Sequence, residues 1–218
     1  ADLDEAERVA WKANDATRSF GVAFDGCTLP GAGEALFHVP AGEMAVGLGI
    51  HGEPGIREVP MGTAAEVADL LLHGVLEEEP ERRGSYRGRV SVVPNGLGTV
   101  KYEELFVVYG RVAEQLSEKG FTVVAPEIGE HVTSLNMAGL SLSIVFLDDE
   151  LEQYWLAPAD TPAFRRAAGT ESSAPPRTGV HVPGEDPIPE AAEESRASAA
   201  GIVQVLEMLR DTASKHEE

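Results

Sequence analysis

Two apparent hairpins interrupt the alternation of strands and helices along the chain, and they limit the folds open to it. One joins residues 35–39 to residues 43–50 across the turn-forming residues 40–42. The other joins residues 140–148 to residues 151–157 through a short acidic turn. A doubly wound parallel sheet needs a crossover between successive strands, so the hairpins disfavour it. The segment order instead predicts an α/β domain of two layers, in which helices pack on a mixed sheet of about six strands.

Three segments have the apolar spacing of amphipathic helices. Residues 3–20 repeat small and apolar side chains at helical intervals, with acidic residues in the first turn. Residues 62–78 carry Thr63 as a predicted N-cap and Glu66 three positions later, which is the pattern of a capping box. Residues 101–120 form the third predicted helix and end at a glycine, a residue typical of the position just after a helix.

Two further strands are predicted outside the hairpins, at residues 88–98 and 121–129. The first of them is a buried apolar run that ends in the glycine turn NGLG, residues 95–98, directly before the predicted helix that starts at residue 101. The N-terminus of a helix can hold an anion, and the same turn also serves as an ordinary helix start. Both interpretations of the turn remain open at the level of sequence.

The composition changes near residue 160 and predicts a domain boundary. Residues 1–165 have the periodicity of a packed domain, whereas residues 166–190 are rich in Pro, Gly, Ser and Thr and read as a linker. Residues 191–218 regain helical spacing with one apolar stripe, which has to pack on something else. We therefore expect the first helix of a truncated second domain, in a chain that is a piece of a longer protein.

Charge and cysteine content exclude several classes of partner. The 218 residues carry a net charge of −20, which disfavours nucleic acid because phosphate binding needs clusters of Lys and Arg. Cys27 is the single cysteine, so no internal disulfide can form and a cytoplasmic location fits. No apolar run approaches the length that spans a bilayer, so we expect no membrane partner.

Six histidines are the main candidates for chemistry, and their spacing predicts no metal site. His51 differs from the others because it follows a strand directly within the glycine-rich stretch GLGIHGEPG, where a ligand can approach the backbone. The alternative, a solvated turn histidine, is equally compatible with the composition. His131 follows a predicted strand and is a weaker candidate for lining a site. The remaining histidines are His38 in a predicted strand, His73 in a predicted helix, His181, and His216 near the chain end.

Five motifs resemble the dihydroxyacetone kinase family in order and spacing. The resemblance covers residues 1–165 and corresponds to the second half of the family's substrate-binding K domain. The linker and the stretch SRASAAGIVQVLEMLRD are similar to the start of the nucleotide-binding L domain of single-chain, ATP-dependent members. The motifs are GVAFDGCTLPGAG (21–33), EMAVGLGIHGEPG (43–55), VVPNGLG (92–98), TSLNMAGLSLSIVFLDDE (133–150) and YWLAPADTP (154–162).

The resemblance implies specific roles for the GIHGEPG segment. In the family its histidine bonds covalently to the carbonyl carbon of the substrate as a hemiaminal, a role that falls on His51 here. Gly52 and Glu53 are then expected to contact the substrate, with Glu53 orienting the ring or shaping the turn. Asn136 stands where the family usually has Asp, and its effect on hydrogen bonding or substrate preference is left open.

The resemblance also implies what this chain needs from elsewhere. The family's acid/base pair comes from the first K-domain half, and ATP and Mg²⁺ are bound by the L domain. No motif of the first K-domain half and no nucleotide-binding motif of the L domain is found in these 218 residues. We therefore expect this chain alone to bind no nucleotide or metal and to be inactive. The expected partners are a small carbonyl sugar, the remaining K-domain half, the L domain and a second copy in a homodimer.

The function implied is a glycerone-type kinase. It would capture a short ketose or aldose through His51 and phosphorylate a primary hydroxyl from ATP, with dihydroxyacetone as the type substrate. A kinase of a related sugar such as erythrulose is one alternative. A non-catalytic ligand-binding module of the DegV type, which would need an apolar pocket, is another, and a regulator that uses the domain as a sensor is a third.

Overall fold

The computed structural model describes residues 2–49, 55–80, 86 and 88–167. The chain divides into two units, Ala1–Gly169 and Thr170–Glu218, and every described residue belongs to the first. Apart from its first two residues, the predicted linker 166–190 lies outside the described residues, as does the whole predicted helix 191–218. The predicted domain boundaries therefore stay predictions.

Four helices and eight strands make up the described part of the chain. None of these helices combines the length and the hydropathy that crossing a bilayer requires. The helices are α1 (Leu3–Asp15), α2 (Ala64–Leu76), α3 (Tyr102–Glu118) and α4 (Asp149–Trp155). The strands are β1 (Thr17–Asp25), β2 (Glu43–Val46), β3 (Arg57–Pro60), β4 (Arg89–Gly96), β5 (Thr122–Val123), β6 (Ala138–Leu147), β7 (Ala159–Asp160) and β8 (Arg165–Arg166).

Six strands form one mixed sheet in the order β3-β2-β1-β6-β4-β5. The pairs are antiparallel except for β4 and β5, which run parallel. The long central strand β6 pairs with β1 on one side and β4 on the other, so that Ser143 lies opposite both Ser19 and Val93. Strands β7 and β8 form a separate two-stranded sheet. The predicted mixed sheet of about six strands, packed by helices, is confirmed.

Helices α2 and α3 cover one face of this sheet and enclose the main core. Alternate residues of β6 from Leu140 to Phe146 point into this core, and Leu142 and Ile144 among them are fully buried. They meet the apolar stripes of the two helices, represented by Leu71 on α2 and Leu105 on α3. Burying each such side chain contributes roughly 1.5–3 kcal/mol. The helix face therefore supplies most of the stability that holds the central strands in register.

The opposite face of the sheet carries smaller and more polar side chains. Part of it is covered by a second apolar cluster under the loop that follows β1. The rest of this face is left open and positions the cavity described below. The buried members of the second cluster are Ala23, Cys27, Ala45, Leu97 and Met137.

The predicted helix 3–20 is too long at its C-terminal end. Helix α1 ends at Asp15, and β1 starts at Thr17. Phe20 and Val22 belong to a β-branched and aromatic run that pairs with β6, and this tertiary pairing outweighs the local helical spacing.

The first predicted hairpin is wrong. Residues 35–39 form no strand; they run as a loop in which the Leu36 N–H donates to the Cys27 carbonyl at 2.8 Å. The predicted strand 43–50 is shortened to β2, which pairs with β1 and with β3 instead. Sequence reasoning missed β3, because four residues at a sheet edge give little periodic signal.

The second predicted hairpin is also wrong, since residues 151–157 lie mostly in helix α4. The Asp148 carboxylate accepts the Leu151 N–H at 2.9 Å and caps this helix. Trp155 then donates its indole N–H to the Ala125 carbonyl at 3.0 Å. The aromatic residues of this segment favour a strand by propensity, whereas the cap and the packing select a helix.

The remaining predicted elements agree with the structure in type. In α2, Glu66 and Thr63 form the predicted capping box, with Thr63 N–H donating to the Glu66 carboxylate at 2.7 Å. The predicted segments 88–98 and 101–120 correspond to β4 and α3. The predicted strand 121–129 is reduced to the two residues of β5, which are followed by Ala125 at a positive φ of 41°.

Candidate functional site

A cavity of about 490 Å³ opens on the face of the sheet opposite α2 and α3. Strands β1, β4 and β6 form its floor, and the segments after β2 and β5 form its sides. Cavities of this volume are typical of small-molecule sites. The polar side chains that line it are Ser19, Asn95, His131, Ser141 and Ser143.

Serine hydroxyls reach the cavity because of the two-residue period of the strands. In β6, Ser141 and Ser143 alternate with the buried Leu142, so their side chains leave the sheet on the cavity side. Ser19 of β1 is the register partner of Ser143, and the two Oγ atoms lie 2.6 Å apart. Hydroxyl groups that both donate and accept are well suited to a polyhydroxylated ligand.

Asn95 is a buried amide at the end of β4 whose four hydrogen bonds fix one wall of the cavity. Its Oδ1 accepts the N–H groups of His131 and Val132 at 2.8 and 2.9 Å. Its Nδ2 donates to the Val132 carbonyl at 2.8 Å and to the Ser141 Oγ at 3.4 Å. With 5% of its surface exposed, Asn95 ties the segment after β5 to the sheet floor.

His131 stands at the boundary between this cavity and a second one. The predicted position of His131 near a site is consistent with this geometry, because the residue lines both cavities. Its ring lies edge-on to Phe164, with 6.4 Å between the ring centroids. His131 is the one described residue of the first cavity whose side chain carries an imidazole.

Residues on both sides of the GIHGEPG segment line the cavity, as does its first residue, Gly49. His51, Gly52 and Glu53 lie outside the described residues, so their predicted roles stay predictions. On the N-terminal side, Gly47 turns the chain at a φ of +74°, and its N–H donates to the Gly21 carbonyl at 2.8 Å. On the C-terminal side, Ile56 returns to the sheet through its N–H, which donates to the Val46 carbonyl at 2.7 Å. Gly47 and Ile56 both line the cavity.

The other histidines lie away from this cavity or beyond the described residues. His73 lies in α2, as predicted, and its Nε2 is 3.0 Å from the Glu77 carboxylate. His38 lies in the loop after β1 rather than in the predicted strand. His181 and His216 lie outside the described residues. Within the described ranges, no three His, Cys, Asp or Glu side chains are grouped closely enough to hold a metal ion.

The NGLG turn and Asn136, whose roles the sequence leaves open, both lie beside defined hydrogen bonds. After the NGLG turn, the Lys101 N–H donates to the Glu104 carboxylate at 2.8 Å, so a side chain of the helix itself occupies part of the N-terminus of α3. Asn136 accepts the Thr28 N–H through its Oδ1 at 2.7 Å. A carboxylate can accept the same hydrogen bond, so this contact accommodates either Asn or Asp at position 136.

A second cavity of about 470 Å³ adjoins the first and was not anticipated from the sequence. Its wall includes Arg166, whose guanidinium stacks 5.0 Å from the ring centroid of Trp155 and 5.3 Å from that of Phe164. Arg166 also pairs with Glu127. The aromatic and basic residues between positions 154 and 166 were the available signal, but only the tertiary packing brings them together.

Comparison with known proteins assigns this chain to a protein family. The Dak1 domain model matches residues 1–163. The chain is 64% identical to an L-erythrulose 1-kinase of Mycolicibacterium smegmatis over 218 residues, which is 100% of this chain and 38% of that protein. It is 54% identical to an L-erythrulose kinase of Pectobacterium atrosepticum over 211 residues, which is 96% of this chain and 36% of that protein. The chain therefore spans well under half the length of these curated relatives.

A solved structure has the same fold. The dihydroxyacetone kinase from C. freundii, in complex with AMP-PNP and Mg²⁺, superimposes with a TM-score of 0.62 at 30% sequence identity. The match covers 81% of this chain and 33% of that one. The family model covers about three quarters of this chain, and the expected resemblance is confirmed. This chain belongs to the dihydroxyacetone kinase family, and its residues 1–163 match the Dak1 domain.

Proposed function

We propose that this chain is the sugar-capturing part of a kinase that phosphorylates a short ketose. The observation that carries the proposal is the serine-bearing cavity, whose wall includes Gly49, the first residue of GIHGEPG, and the flanking residues Gly47 and Ile56. In this proposal His51 is the residue that bonds to the sugar. The serine hydroxyls and the Asn95 amide offer hydrogen bonds to a polyhydroxylated ligand, while Leu48 and Ile56 are among the apolar residues of the same cavity.

The proposed capture is a reversible addition of His51 to the substrate carbonyl. The lone pair of one imidazole nitrogen forms an N–C bond while the carbonyl π bond breaks. The oxygen takes up a proton as the other ring nitrogen releases one, so the product is a hemiaminal formed without loss of water. A polyol such as glycerol has no carbonyl and is rejected. The bound sugar then presents its terminal hydroxyl in a fixed position, which supplies much of the rate in phosphoryl transfer.

Erythrulose is the substrate that we propose within this class. The two relatives with 64% and 54% identity are named as L-erythrulose kinases. A cavity of about 490 Å³ has room for a four-carbon sugar as well as for dihydroxyacetone. The addition itself requires only a carbonyl, so the choice between the two sugars has to come from the rest of the cavity.

The phosphate donor in this proposal is ATP with Mg²⁺, bound outside the described residues. The related C. freundii kinase was solved with AMP-PNP and Mg²⁺. The described residues of this chain contain no metal-ligand group, so no step is assigned to them in binding the nucleotide. The proposed partners are the remaining half of the K domain, the L domain and a second copy in a homodimer, and the proposed location is the cytoplasm.

Sugar capture can be tested on the 218-residue chain by NMR and mass spectrometry. With dihydroxyacetone labelled with ¹³C at its carbonyl carbon, we expect the bound signal to move to the region of a saturated carbon with two heteroatoms. Native mass spectrometry should show an added mass equal to one whole sugar molecule, because no water is lost. The His51→Ala variant should show neither signal.

The control variant is His73→Ala, which removes an exposed imidazole from α2 and should bind sugar like the unaltered chain. An adduct that persists in His51→Ala would overturn the covalent role. Phosphorylation of L-erythrulose from ATP by the whole protein tests the kinase assignment. Absence of turnover with every short ketose tried would count against it.

A further inference from the structure

The reaction proposed above leaves open how the site distinguishes a four-carbon from a three-carbon ketose. Erythrulose differs from dihydroxyacetone by one added carbon that carries a hydroxyl group. An apolar wall discriminates weakly against an isostere with an extra hydroxyl, whereas a fixed hydrogen-bonding group discriminates strongly. A site that prefers the four-carbon sugar therefore needs a positioned polar side chain beyond the groups that hold the first three carbons.

We propose that His131 is this specificity-determining residue and that Asn95 positions it. The inference rests on the proposed function. His131 lies where the sugar cavity meets the adjoining cavity and lines both, and its ring contacts Phe164 of the adjoining one. A sugar extended by one carbon towards that side of the first cavity approaches His131. A neutral imidazole offers one donor and one acceptor, which matches the two capacities of a hydroxyl group.

The backbone of His131 is held in place by the buried side chain of Asn95. The Oδ1 of Asn95 accepts the N–H groups of residues 131 and 132 at 2.8 and 2.9 Å, while its Nδ2 donates to the Val132 carbonyl at 2.8 Å. Four hydrogen bonds use the full capacity of this amide when the contact to Ser141 is included. Substitution of Asn95 would therefore move the segment that carries His131.

The aromatic ring of Phe164 packs against the imidazole of His131 and restricts its movement on that side. The ring centroids lie 6.4 Å apart and the planes are inclined at 71°. Arg166 stacks on the same phenyl ring at 5.3 Å and pairs with Glu127, so the phenyl ring itself is held. His131 is exposed, yet its backbone and one side of its ring are constrained. Such a side chain loses little entropy when it binds a hydroxyl group.

The test compares kcat/KM for L-erythrulose with kcat/KM for dihydroxyacetone in the whole protein. His131→Phe keeps a planar ring and removes both nitrogens. We expect the erythrulose-to-dihydroxyacetone ratio to fall by about tenfold or more. His73→Phe, the same change on the exposed surface of α2, should leave the ratio within about twofold, because α2 packs on the other face of the sheet.

Asn95→Asp tests the positioning role through a double-mutant cycle. The carboxylate cannot donate to the Val132 carbonyl, so the single variant should lower the same ratio. In the His131→Phe background, Asn95→Asp should change the ratio no further, because its effect passes through the imidazole. A merely structural role would lower the ratio equally in both backgrounds or would leave it unchanged in both, and either result would overturn the positioning role.

Failure of this inference is distinguishable from failure of the proposed function. If neither sugar is phosphorylated by the unaltered protein, the proposed function is wrong and so is the inference that rests on it. If both sugars are phosphorylated and His131→Phe keeps the original ratio, the assignment of His131 alone is wrong. Should Asn95→Asp fail to fold, the ratio measured for His131→Phe against His73→Phe still decides the specificity role.

Discussion

Gly98 occupies a position in which both the backbone and the surroundings require glycine. Its φ is +153°, and a Cβ built on it would lie 2.3 Å from the Leu135 carbonyl oxygen. The close approach serves the bridge between Gly98 and Met137, which joins the end of the NGLG turn to the segment before β6. We expect Gly98→Ala to lower the free energy of unfolding by about 1–3 kcal/mol, measured by urea denaturation.

The matched control at the residue scale is Gly110→Ala on α3. A Cβ at Gly110 meets nothing within 4 Å, and alanine favours a helix interior over glycine by roughly 0.8–1 kcal/mol. The same substitution should therefore stabilise the protein at one position and destabilise it at the other. A Gly98→Ala variant as stable as the unaltered chain would contradict the steric argument.

Individual site residues could be predicted from the sequence only where a motif marks them. His51 was singled out by its glycine-rich surroundings and by the family resemblance. Asn95 was seen only as part of a glycine turn, because its partners at positions 131 and 132 lie more than thirty residues further along the chain. Ser19 and Ser143 become neighbours only once β1 and β6 are known to pair, and local periodicity does not specify that pairing.

At the scale of elements, α1 is unusual because none of its residues is buried. Its contacts with α4 are polar: Arg8 and Lys12 donate to Glu150 at 2.5 and 2.6 Å, and Tyr154 donates to Glu5 at 3.0 Å. Hydrogen bonds from Arg8 and then Lys12 lower the pKa of the Glu150 carboxyl from 4.5 to about 2. The attachment of α1 therefore depends on a carboxylate that can be protonated.

This attachment should weaken in acid. Because the pKa of Glu150 is lower in the folded than in the unfolded chain, its stabilising effect is present above pH 4.5 and is lost as the pH falls towards 2. The Glu150→Gln variant should be slightly less stable than the unaltered chain at neutral pH and should lose less stability across this window. Thermal unfolding followed by circular dichroism at several pH values measures both effects.

Glu7→Gln, which removes one carboxylate from α1 itself, serves as the control for net charge. Its stability should follow the pH dependence of the unaltered chain through the window from pH 4.5 to 2. If Glu150→Gln and the unaltered chain lost stability in parallel, the ion pairs of Glu150 with Arg8 and Lys12 would not be the cause.

The elements predicted correctly are those with local end signals or long periodic runs. Helix α2 has its capping box, α3 has four turns of apolar spacing, and β4 and β6 are long apolar runs. Both predicted hairpins were wrong, although the mixed sheet that they suggested is present. Its antiparallel pairs come from β1 with β6, β6 with β4 and β2 with its neighbours, which are mostly long-range pairings that short-range patterns do not encode.

Across the whole molecule, the sheet separates stability from ligand contact. The helix face of β6 carries the fully buried Leu142 and Ile144, while the cavity face carries Ser141 and Ser143. This division follows from the two-residue period of a strand that is covered by helices on one side and left partly open on the other. Neighbouring residues on one strand should therefore affect different properties of the protein.

Leu142 and Ser143 provide the direct test of this separation. Leu142→Ala removes a fully buried side chain and should lower the free energy of unfolding by about 2–5 kcal/mol. Ser143→Ala should change stability by less than about 1 kcal/mol, yet weaken dihydroxyacetone binding about two- to tenfold through the lost hydroxyl. Urea denaturation and the ¹³C adduct signal measure the two quantities on the same samples. Equal loss of stability in both variants would mean that the cavity face is part of the structural core, since only a core position makes a serine as costly to truncate as a leucine.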